Sequence, residues 1–449
     1  MKAKTLLLVG LTLGSFLVVL DINIVNVALA VLHQQLGGDI RTLQWAIDAY
    51  TIGSAGFILG MGAVADKFGA KRVYLAGLAA FGITSLLCGL AWSANTLIIF
   101  RLLMGIAGSL LLPASLALIN HEYTVGPARA KALGVWASLA GLAVAAGPLA
   151  GGVLTHLFGW RIIFLINIPL CILGILLVGL YARETSTHDR PLQLGRQTLL
   201  MLFLVGVTFL IIESRNGLLN TAGLVGALGT VIAGLLFLHG ERSSEEHVLV
   251  PEVFKHPRVL AASACGAVFN FGMFGLYFFL SLYLQAVLHY SVLHTGLAFL
   301  AIAIPTTFNP PLAVRFAQSF GAIRAIMFGF SCQMLAAVLQ LVPKVRTYYP
   351  LDAISFFLLG YGATFVLAPL TTLVMALAPS HREGITSGFL NFSRQIGTVL
   401  GIAAVGVAMG SLGADMNIGL PVGLCLGALA LGLITAWQGL PAKNHTEES

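Results

Sequence analysis

The sequence predicts an all-α integral membrane protein, and three observations support this prediction. Hydrophobic residues make up 58% of the 449 residues, charged residues make up only 9%, and the mean hydropathy is +0.94. A soluble chain of this length needs far more charge on its surface. Apolar runs of about twenty residues, long enough to cross a bilayer as helices, recur along the chain. Because these runs are long and continuous, they favour helices over the short alternating segments of a β-barrel.

Fourteen apolar runs are separated by polar loops. Each run holds few charges, and no loop is long enough to form a soluble domain. We therefore expect fourteen transmembrane helices. The predicted spans cover residues 5–31, 42–65, 73–92, 96–119, 131–155, 160–182, 196–213, 219–239, 257–287, 293–314, 322–342, 351–378, 385–410 and 417–438.

Two longer polar stretches, 183–196 and 240–258, divide these spans into blocks of six, two and six. A weak internal repeat relates the two blocks of six, which is a common plan in membrane transporters. The predicted units are an N-terminal six-helix bundle at 1–185, an inserted two-helix segment with flanking cytoplasmic loops at 186–250, a C-terminal six-helix bundle at 251–440 and a cytoplasmic tail at 441–449.

The distribution of Lys and Arg predicts the orientation of the chain. With the N-terminus inside, seventeen of the 24 basic residues lie in inner segments, five lie in outer segments, and Arg101 and Arg394 lie within spans. Because cytoplasmic loops are enriched in Lys and Arg, we expect both termini to be cytoplasmic, in a bacterial-type cytoplasmic (inner) membrane. The formal net charge of +7 is spread over short loops, so we expect no nucleic-acid partner.

Asp21 is the main candidate for chemistry, because it is an acid within the first predicted span. Placing a carboxylate in hydrocarbon costs about 2.5–3.5 kcal/mol on insertion scales. That penalty favours the protonated form, so Asp21 can take up and release a proton near neutral pH. Asn23 and Asn26 accompany it at helical spacing, and polar residues in a span usually face the protein interior. The alternative is an acid at the outer interface that reaches water or caps a helix.

Three further stretches hold residues that a simple membrane anchor does not need. Arg101 keeps its proton, so within the fourth span it needs an internal partner, such as Asp21, or a place at the outer boundary. The loop 62–72 holds one acid and three cations, which can exchange ion pairs between bundles or form a solvated turn. Pro148 lies among glycines in the fifth span, which predicts a kinked hinge or a close packing surface.

Together these stretches resemble the motifs of the major facilitator superfamily, and specifically of its fourteen-span drug:proton antiporter branch. Ala70 stands where the family usually has a basic residue, and Met104 stands where Gln is usual. The stretch 45–50 resembles the start of span two in pumps for quaternary ammonium and other cationic compounds. The similar stretches are 20–29 in span one, 45–50 in span two, the loop 62–72, 97–108 in span four and 147–152 in span five.

The resemblance implies the major facilitator fold, with two six-helix bundles plus an inserted helix pair. It also implies a role for each matched residue. The proton-coupling residues are Asp21, Asp48 and Arg101; the gating loop contributes Gly62, Asp66, Lys67, Gly69, Lys71 and Arg72; and the antiporter motif contributes Gly147, Pro148, Gly151 and Gly152.

We place the substrate pocket between the two bundles. Aromatic residues of the ninth span share one helical face, where they can stack on an organic cation or form an ordinary packing stripe. A polar patch early in the thirteenth span resembles one that family members carry. The predicted pocket residues are Asn23, Asn26, Tyr50, Trp136, Phe271, Phe274, Tyr277, Asn391 and Arg394.

Several absences narrow the functional class. The sequence holds no phosphate-binding loop of the ATPase type and no metal-ligand spacing, so we expect no cofactor, no metal and no enzymatic activity, with a proton gradient as the energy source. The second half also lacks a clear intramembrane carboxylate. That shortage favours monovalent or neutral substrates over dications.

We therefore predict a proton-coupled antiporter that exports lipophilic, monovalent cationic or neutral drugs by alternating access. Its expected partners are a small lipophilic substrate, protons and the bilayer, and we expect it to act as a monomer. One alternative is a proton-coupled transporter of a specific endogenous metabolite, such as an amino acid, siderophore or lipid precursor. A less favoured alternative is a non-transporting membrane sensor, which would need a soluble output domain.

Overall fold

The structure is a computed structural model that describes residues 2–440 except 38, 125, 186, 188–191, 245, 246, 379–382 and 411–415. Within these residues all regular structure is helical, as the sequence predicts. Eleven helices are long and apolar enough to cross a membrane, and the number rises to fourteen if each of three bent helix pairs is one span. The predicted tail at 441–449 lies outside the described residues.

The first half of the chain forms eight helices: α1 (Lys2–Leu36), α2 (Ile40–Ile58), α3 (Met61–Phe68), α4 (Ala70–Gly89), α5 (Ala94–Glu122), α6 (Gly126–Phe158), α7 (Ile162–Leu165) and α8 (Asn167–Tyr181). Asp39 caps α2 by accepting a hydrogen bond from the backbone N–H of Thr42 at 3.1 Å. Gly69 separates α3 from α4 with a φ of 89°, a conformation that favours glycine. Helix α6 bends by 44° next to Val144, because the ring of Pro148 displaces that carbonyl.

The inserted pair consists of α9 (Leu194–Glu213) and α10 (Thr221–Arg242), joined by a 3₁₀ turn at Ser214–Asn216. Helix α9 packs closely on α2, where a Cβ on Gly56 would lie 2.5 Å from the Cβ of Met201. Glu241 at the end of α10 accepts hydrogen bonds at 3.0 Å from Arg196 and from the backbone N–H of Val248. The pair is therefore tied both to the first half and to the linker that leads into the second.

The second half begins with the short helix α11 (Pro251–Phe254) and continues with nine longer or bent helices. Helix α12 ends in a π-helical turn at Tyr283–Val287. The helices are α12 (Pro257–Leu282), α13 (Val292–Ala298), α14 (Leu300–Phe308), α15 (Pro310–Phe320), α16 (Ala322–Leu341), α17 (Pro343–Thr347), α18 (Tyr349–Ala376), α19 (Glu383–Met409) and α20 (Gly419–Gly439).

The two halves contact each other through α2 with α19, through α6 with α13 and α14, and through α1 with α12. The side chain of Gln44 donates to the carbonyl of Ala403 at 2.7 Å, and the hydroxyl of Ser281 donates to the carbonyl of Asn26 at 2.5 Å. Both hydrogen bonds lie toward the end of the bundle that carries the α1–α2 turn. We call this end the turn end, and the halves are joined closely there.

The helices cover every predicted span, and they differ from the prediction mainly at internal breaks. The predicted span 293–314 consists of α13, α14 and α15, with a 51° bend before Pro310. The predicted span 160–182 begins with the separate short helix α7. Sequence hydropathy finds an apolar run but does not resolve such breaks, because a run stays apolar through a kink.

Candidate functional site

Asp21 and Arg101 form an ion pair at the centre of the first half. Both side chains are 0% exposed, and Nη1 of Arg101 donates to Oδ2 of Asp21. The sequence left open whether these two residues meet, and whether each lies inside the protein or at the outer boundary. The structure places both inside the helix bundle, which excludes the boundary alternatives for both side chains.

Helix α2 completes the surroundings of the guanidinium. Nε of Arg101 donates to the carbonyl of Ala46 at 2.9 Å, and the guanidinium carbon lies 4.4 Å from the ring centroid of Tyr50. The close approach of α5 to α2 depends on Gly105, where a Cβ would collide with the carbonyl oxygen of Tyr50. Tyr50, a predicted pocket residue, is therefore buried against Arg101.

The ion pair leaves two polar atoms unused. Oδ1 of Asp21 and Nη2 of Arg101 are buried and have no hydrogen-bond partner among the described residues. A buried ion pair is stable only when its remaining polar atoms are satisfied. One hydrogen bond joins the two charges, and removing the charge of either partner would leave the other buried without a counter-charge.

Asp48 is a second buried acid, and it lies at the junction of the two halves. The residue is 0% exposed, and neither carboxylate oxygen has a hydrogen-bond partner within the described part of the chain. Gln44, one turn earlier on α2, bonds to the α19 backbone, and a Cβ on Gly388 of α19 would lie 3.9 Å from Leu59. Helices α2 and α19 therefore run antiparallel and side by side, with Asp48 one turn from an inter-half hydrogen bond.

Asn23 and Asn26 are buried on α1, and their side chains bond to their own helix. Asn23 donates to the carbonyl of Val19 at 2.7 Å, and Asn26 donates to the carbonyl of Ile22 at 2.8 Å. The Oδ1 atom of Asn26 has no partner among the described residues. Through its backbone carbonyl, Asn26 also accepts the inter-half hydrogen bond from Ser281.

The four residues predicted as the antiporter motif form a packing surface with two sides. Gly147 lies against Asn23, and Gly151 lies against Ile24, so this side of α6 packs closely on α1. On the other side Gly152 and the carbonyl of Pro148 approach Gly296 of α13, where a Cβ would lie 2.5 Å from that carbonyl oxygen. The motif thus joins α1 to the second half.

The loop at residues 62–72 contacts α8 and the segment after it. Lys71 donates to the carbonyls of Gly179 at 3.1 Å and Ala182 at 2.8 Å. Arg72 lies 3.8 Å from Glu184 in an exposed ion pair. Exposure of Phe68 and Arg72 places part of the loop at the bundle surface, at the end opposite the turn end, while Ala65 and Gly69 are buried.

The predicted aromatic residues of span nine are divided between packing and partial exposure. Tyr277 is buried and stacks on Phe299 with centroids 4.4 Å apart, so that ring face is already occupied. Phe271 and Phe274 are half-buried. Trp136 on α6 is also half-buried, and its indole N–H donates to the hydroxyl of Ser115 at 3.1 Å.

The predicted polar patch of span thirteen lies where α19 packs on α12. Nε of Arg394 is 3.4 Å from Oδ1 of Asn270, and Nδ2 of Asn270 donates to the hydroxyl of Thr398 at 3.0 Å. Asn391, one turn earlier, donates to the carbonyl of Ser387. The patch therefore joins an arginine to an amide and a hydroxyl.

One inference from the sequence is wrong: the second half does bury a carboxylate. Asp352 in the first turn of α18 is 2% exposed. It accepts a hydrogen bond from Gln340 at 2.5 Å, and Arg346 donates to the backbone carbonyl of Gln340 at 2.9 Å. The residue lies at the edge of an apolar run and looks like a loop acid in sequence. The nearby Gln340 and Arg346 were the available signal for a buried polar cluster. Among the described residues no group of three metal-ligating side chains occurs.

Comparison with known families matches residues 11–402 to the Major Facilitator Superfamily. The methylenomycin A resistance protein of Bacillus subtilis (strain 168) is 31% identical over 447 residues, covering 98% of this chain and 96% of that protein. The puromycin resistance protein pur8 of Streptomyces alboniger is 32% identical, covering 88% of this chain and 80% of that protein. The multidrug resistance protein Stp of Mycobacterium tuberculosis (strain H37Rv) is 29% identical, covering 90% and 76%.

The crystal structure of a mutant of the nucleoside transporter NupG has a similar fold. It matches with a TM-score of 0.67, covering 97% of this chain and 99% of that chain at 13% identity. The apolar helices and the family match make this protein a multi-pass membrane transporter rather than an enzyme. By its family match and by its full-length relatives, the chain belongs to the major facilitator superfamily.

Proposed function

We propose that this protein is a proton-coupled antiporter that exports lipophilic drugs by alternating access. The names of its relatives, which include antibiotic and multidrug resistance proteins, support drug export. One observation supports coupling between proton binding and the arrangement of the halves: Asp21 and Asp48, the buried acids of the first half, each lie within five residues of a hydrogen bond to the second half. Asp21 precedes Asn26 on α1, and Asp48 follows Gln44 on α2.

Protonation acts on the ion pair first. A protonated Asp21 loses its charge, so Arg101 depends on the Ala46 carbonyl and the Tyr50 ring. Helices α1, α2 and α5 then repack around a guanidinium without its counter-charge. Because α1 and α2 also hold the inter-half hydrogen bonds, the change reaches the contacts at the turn end. Protonation favours one arrangement of the halves and substrate favours the other, as coupling requires.

The remaining motifs have structural roles in this scheme. Gly147 and Gly151 pack α6 closely on α1, so the two helices move together. Gly152 gives α6 a smooth surface on which it slides against α13. The basic loop 62–72 holds the opposite end of the first half to α8 through Lys71. We propose both termini in the cytoplasm of a bacterial-type cell, with the turn end outside, and a monomeric transporter with no cofactor.

The proton gradient supplies the energy in this proposal. Moving one unit charge across 100 mV is worth about 2.3 kcal/mol. Exchange of one proton for one monovalent cation moves no net charge, so the pH difference alone drives it. We propose monovalent cationic lipophiles, for which this charge balance holds, and neutral lipophiles as substrates.

The test uses inside-out membrane vesicles with an acidic interior and the lipophilic monocation tetraphenylphosphonium. We expect accumulation that collapses with nigericin, which removes the pH difference, and persists with valinomycin and potassium, which remove the potential. Accumulation that ignores nigericin would contradict proton coupling. Robust accumulation of the dication dequalinium would contradict the restriction to monovalent substrates.

A further inference from the structure

Arg394 is a permanent positive charge in the middle of α19. It lies eleven residues from the start of that helix, about 17 Å along the axis at 1.5 Å per residue. Its aliphatic part crosses Gly266 of α12, where a Cβ would lie 3.0 Å from the Cγ of Arg394. The residue is half-buried, so part of its surface remains accessible.

Among the residues that the structure describes, the guanidinium has no carboxylate partner. Its hydrogen bonds within the described residues consist of the 3.4 Å contact of Nε with Asn270, and the two terminal nitrogens donate to no protein atom. Asp352, the buried acid of this half, is already bonded to Gln340. Arg101 in the first half shows the contrast, because its charge is neutralised by Asp21.

An unpaired cation at this depth is costly, and arginine cannot relieve the cost by losing its proton. A planar guanidinium with two free terminal nitrogens matches the two oxygens of a carboxylate. Asn270 accepts from Nε of Arg394 and donates to the hydroxyl of Thr398, so these neutral groups orient the guanidinium without neutralising it. A ligand that brings its own anionic group would therefore gain the most from this position.

We propose that Arg394, oriented by Asn270, binds the carboxylate of a substrate in the second half. This inference rests on the proposed exporter function, and it extends the substrate class to lipophilic molecules that carry a carboxylate. Such a group forms two parallel hydrogen bonds to the guanidinium, while the apolar body of the molecule lies against the half-buried Phe271 and Phe274.

The test compares two probes that differ only in charge, naphthoate and naphthamide, binding to the full-length protein in phosphatidylcholine nanodiscs at neutral pH. A charge-assisted pair is stronger than a neutral hydrogen bond, so we expect naphthoate to bind about tenfold more tightly than naphthamide. In Arg394→Gln the ratio of the two affinities should fall to about one. Arg394→Lys keeps the charge and should retain part of the preference.

Arg324→Gln is the matched control, because it removes the same charge from an exposed position in the same half and should keep the ratio. Melting temperatures of all variants separate loss of fold from loss of the subsite. An equal affinity of the wild-type protein for both probes, or a preference that survives in Arg394→Gln, would overturn the proposal. Tetraphenylphosphonium accumulation in vesicles is measured in parallel, so that failure of proton coupling is distinguished from failure of the subsite.

Discussion

The two halves of this transporter surround the arginines within their spans differently. The first half pairs Arg101 with Asp21 and adds a second buried acid, Asp48. The second half surrounds Arg394 with an amide and a hydroxyl, and no acid of the described part of the chain lies beside it. An acid can change its charge by taking up a proton, whereas arginine cannot. From this difference we propose that protons exchange in the first half and that Arg394 in the second half selects the charge of the substrate.

The largest expected effect comes from breaking the ion pair. Asp21→Asn removes the charge that neutralises Arg101, and leaving one partner of a buried pair costs about 3–5 kcal/mol. We expect a large fall in melting temperature and loss of pH-driven tetraphenylphosphonium accumulation in vesicles.

The double variant Asp21→Asn with Arg101→Gln separates these two effects. It replaces the pair by neutral groups of similar size, so stability should recover while coupling stays lost. Asp352→Asn is the matched control, because it neutralises a buried acid of the other half. Full pH-driven transport by the double variant would show that the pair has no part in coupling.

A smaller change is expected at Asp48, where the acid has no partner to lose. Asp48→Asn breaks no hydrogen bond of the described structure, so the melting temperature should stay the same or rise. We expect accumulation of tetraphenylphosphonium driven by the pH difference to fall by about tenfold or more. A tenfold fall corresponds to a loss of about 1.4 kcal/mol of coupling free energy. A strongly destabilised Asp48→Asn would show that the carboxylate has a partner essential to the fold.

The junction between α6 and α13 offers a test that involves no charge. A Cβ on Gly296 would lie 2.5 Å from the carbonyl of Pro148, so Gly296→Ala should disfavour the closed turn end by about 1–3 kcal/mol. Spin labels on the exposed residues Gln35 and Leu420, at that end, should then move apart. The control is Gly141→Ala, because a Cβ there meets no atom within 4 Å. Equal label distances in both variants would contradict a close contact at this junction.

The smallest effect is expected at the cap of α2. Burial raises the pKa of Asp39, but hydrogen bonds from Arg41 and the Thr42 N–H lower it by more, so the pKa lies below its usual value. Asp39→Ala should cost about 1 kcal/mol. The wild-type advantage is full above the usual pKa and disappears as the pH falls through the lower folded value. Ser93→Ala is the control, because it removes the cap of α5 and a serine hydroxyl does not titrate in this range. A melting-temperature difference independent of pH at both sites would contradict this assignment.

Much of the fold follows from the sequence because hydrocarbon imposes simple rules on a chain. A span must be long, apolar and helical, and every predicted span is occupied by helices. The burial of Asp21 and Arg101 was one of two alternatives that the sequence left open, and only the structure shows that the two side chains meet. The bend in α6 is predictable from local sequence, because a proline inside a helix removes a backbone hydrogen bond and displaces the preceding turn.

The contacts between distant helices do not follow from the sequence. Gln44 and Ser281 join the two halves, yet each is one polar residue in an apolar run, and nothing local shows its partner. Asp352 lies at the edge of its predicted span, where the sequence alone does not distinguish a buried acid from an exposed one. Its burial depends on how α16 and α18 pack, which hydropathy does not report.

The most direct test of the account is the release of protons when the purified protein binds tetraphenylphosphonium in weakly buffered solution. The account predicts that the wild-type protein releases protons in proportion to bound ligand, and that a variant with both Asp21→Asn and Asp48→Asn binds but releases none. Proton release by that double variant equal to the wild-type amount would contradict the assignment of proton exchange to the first half.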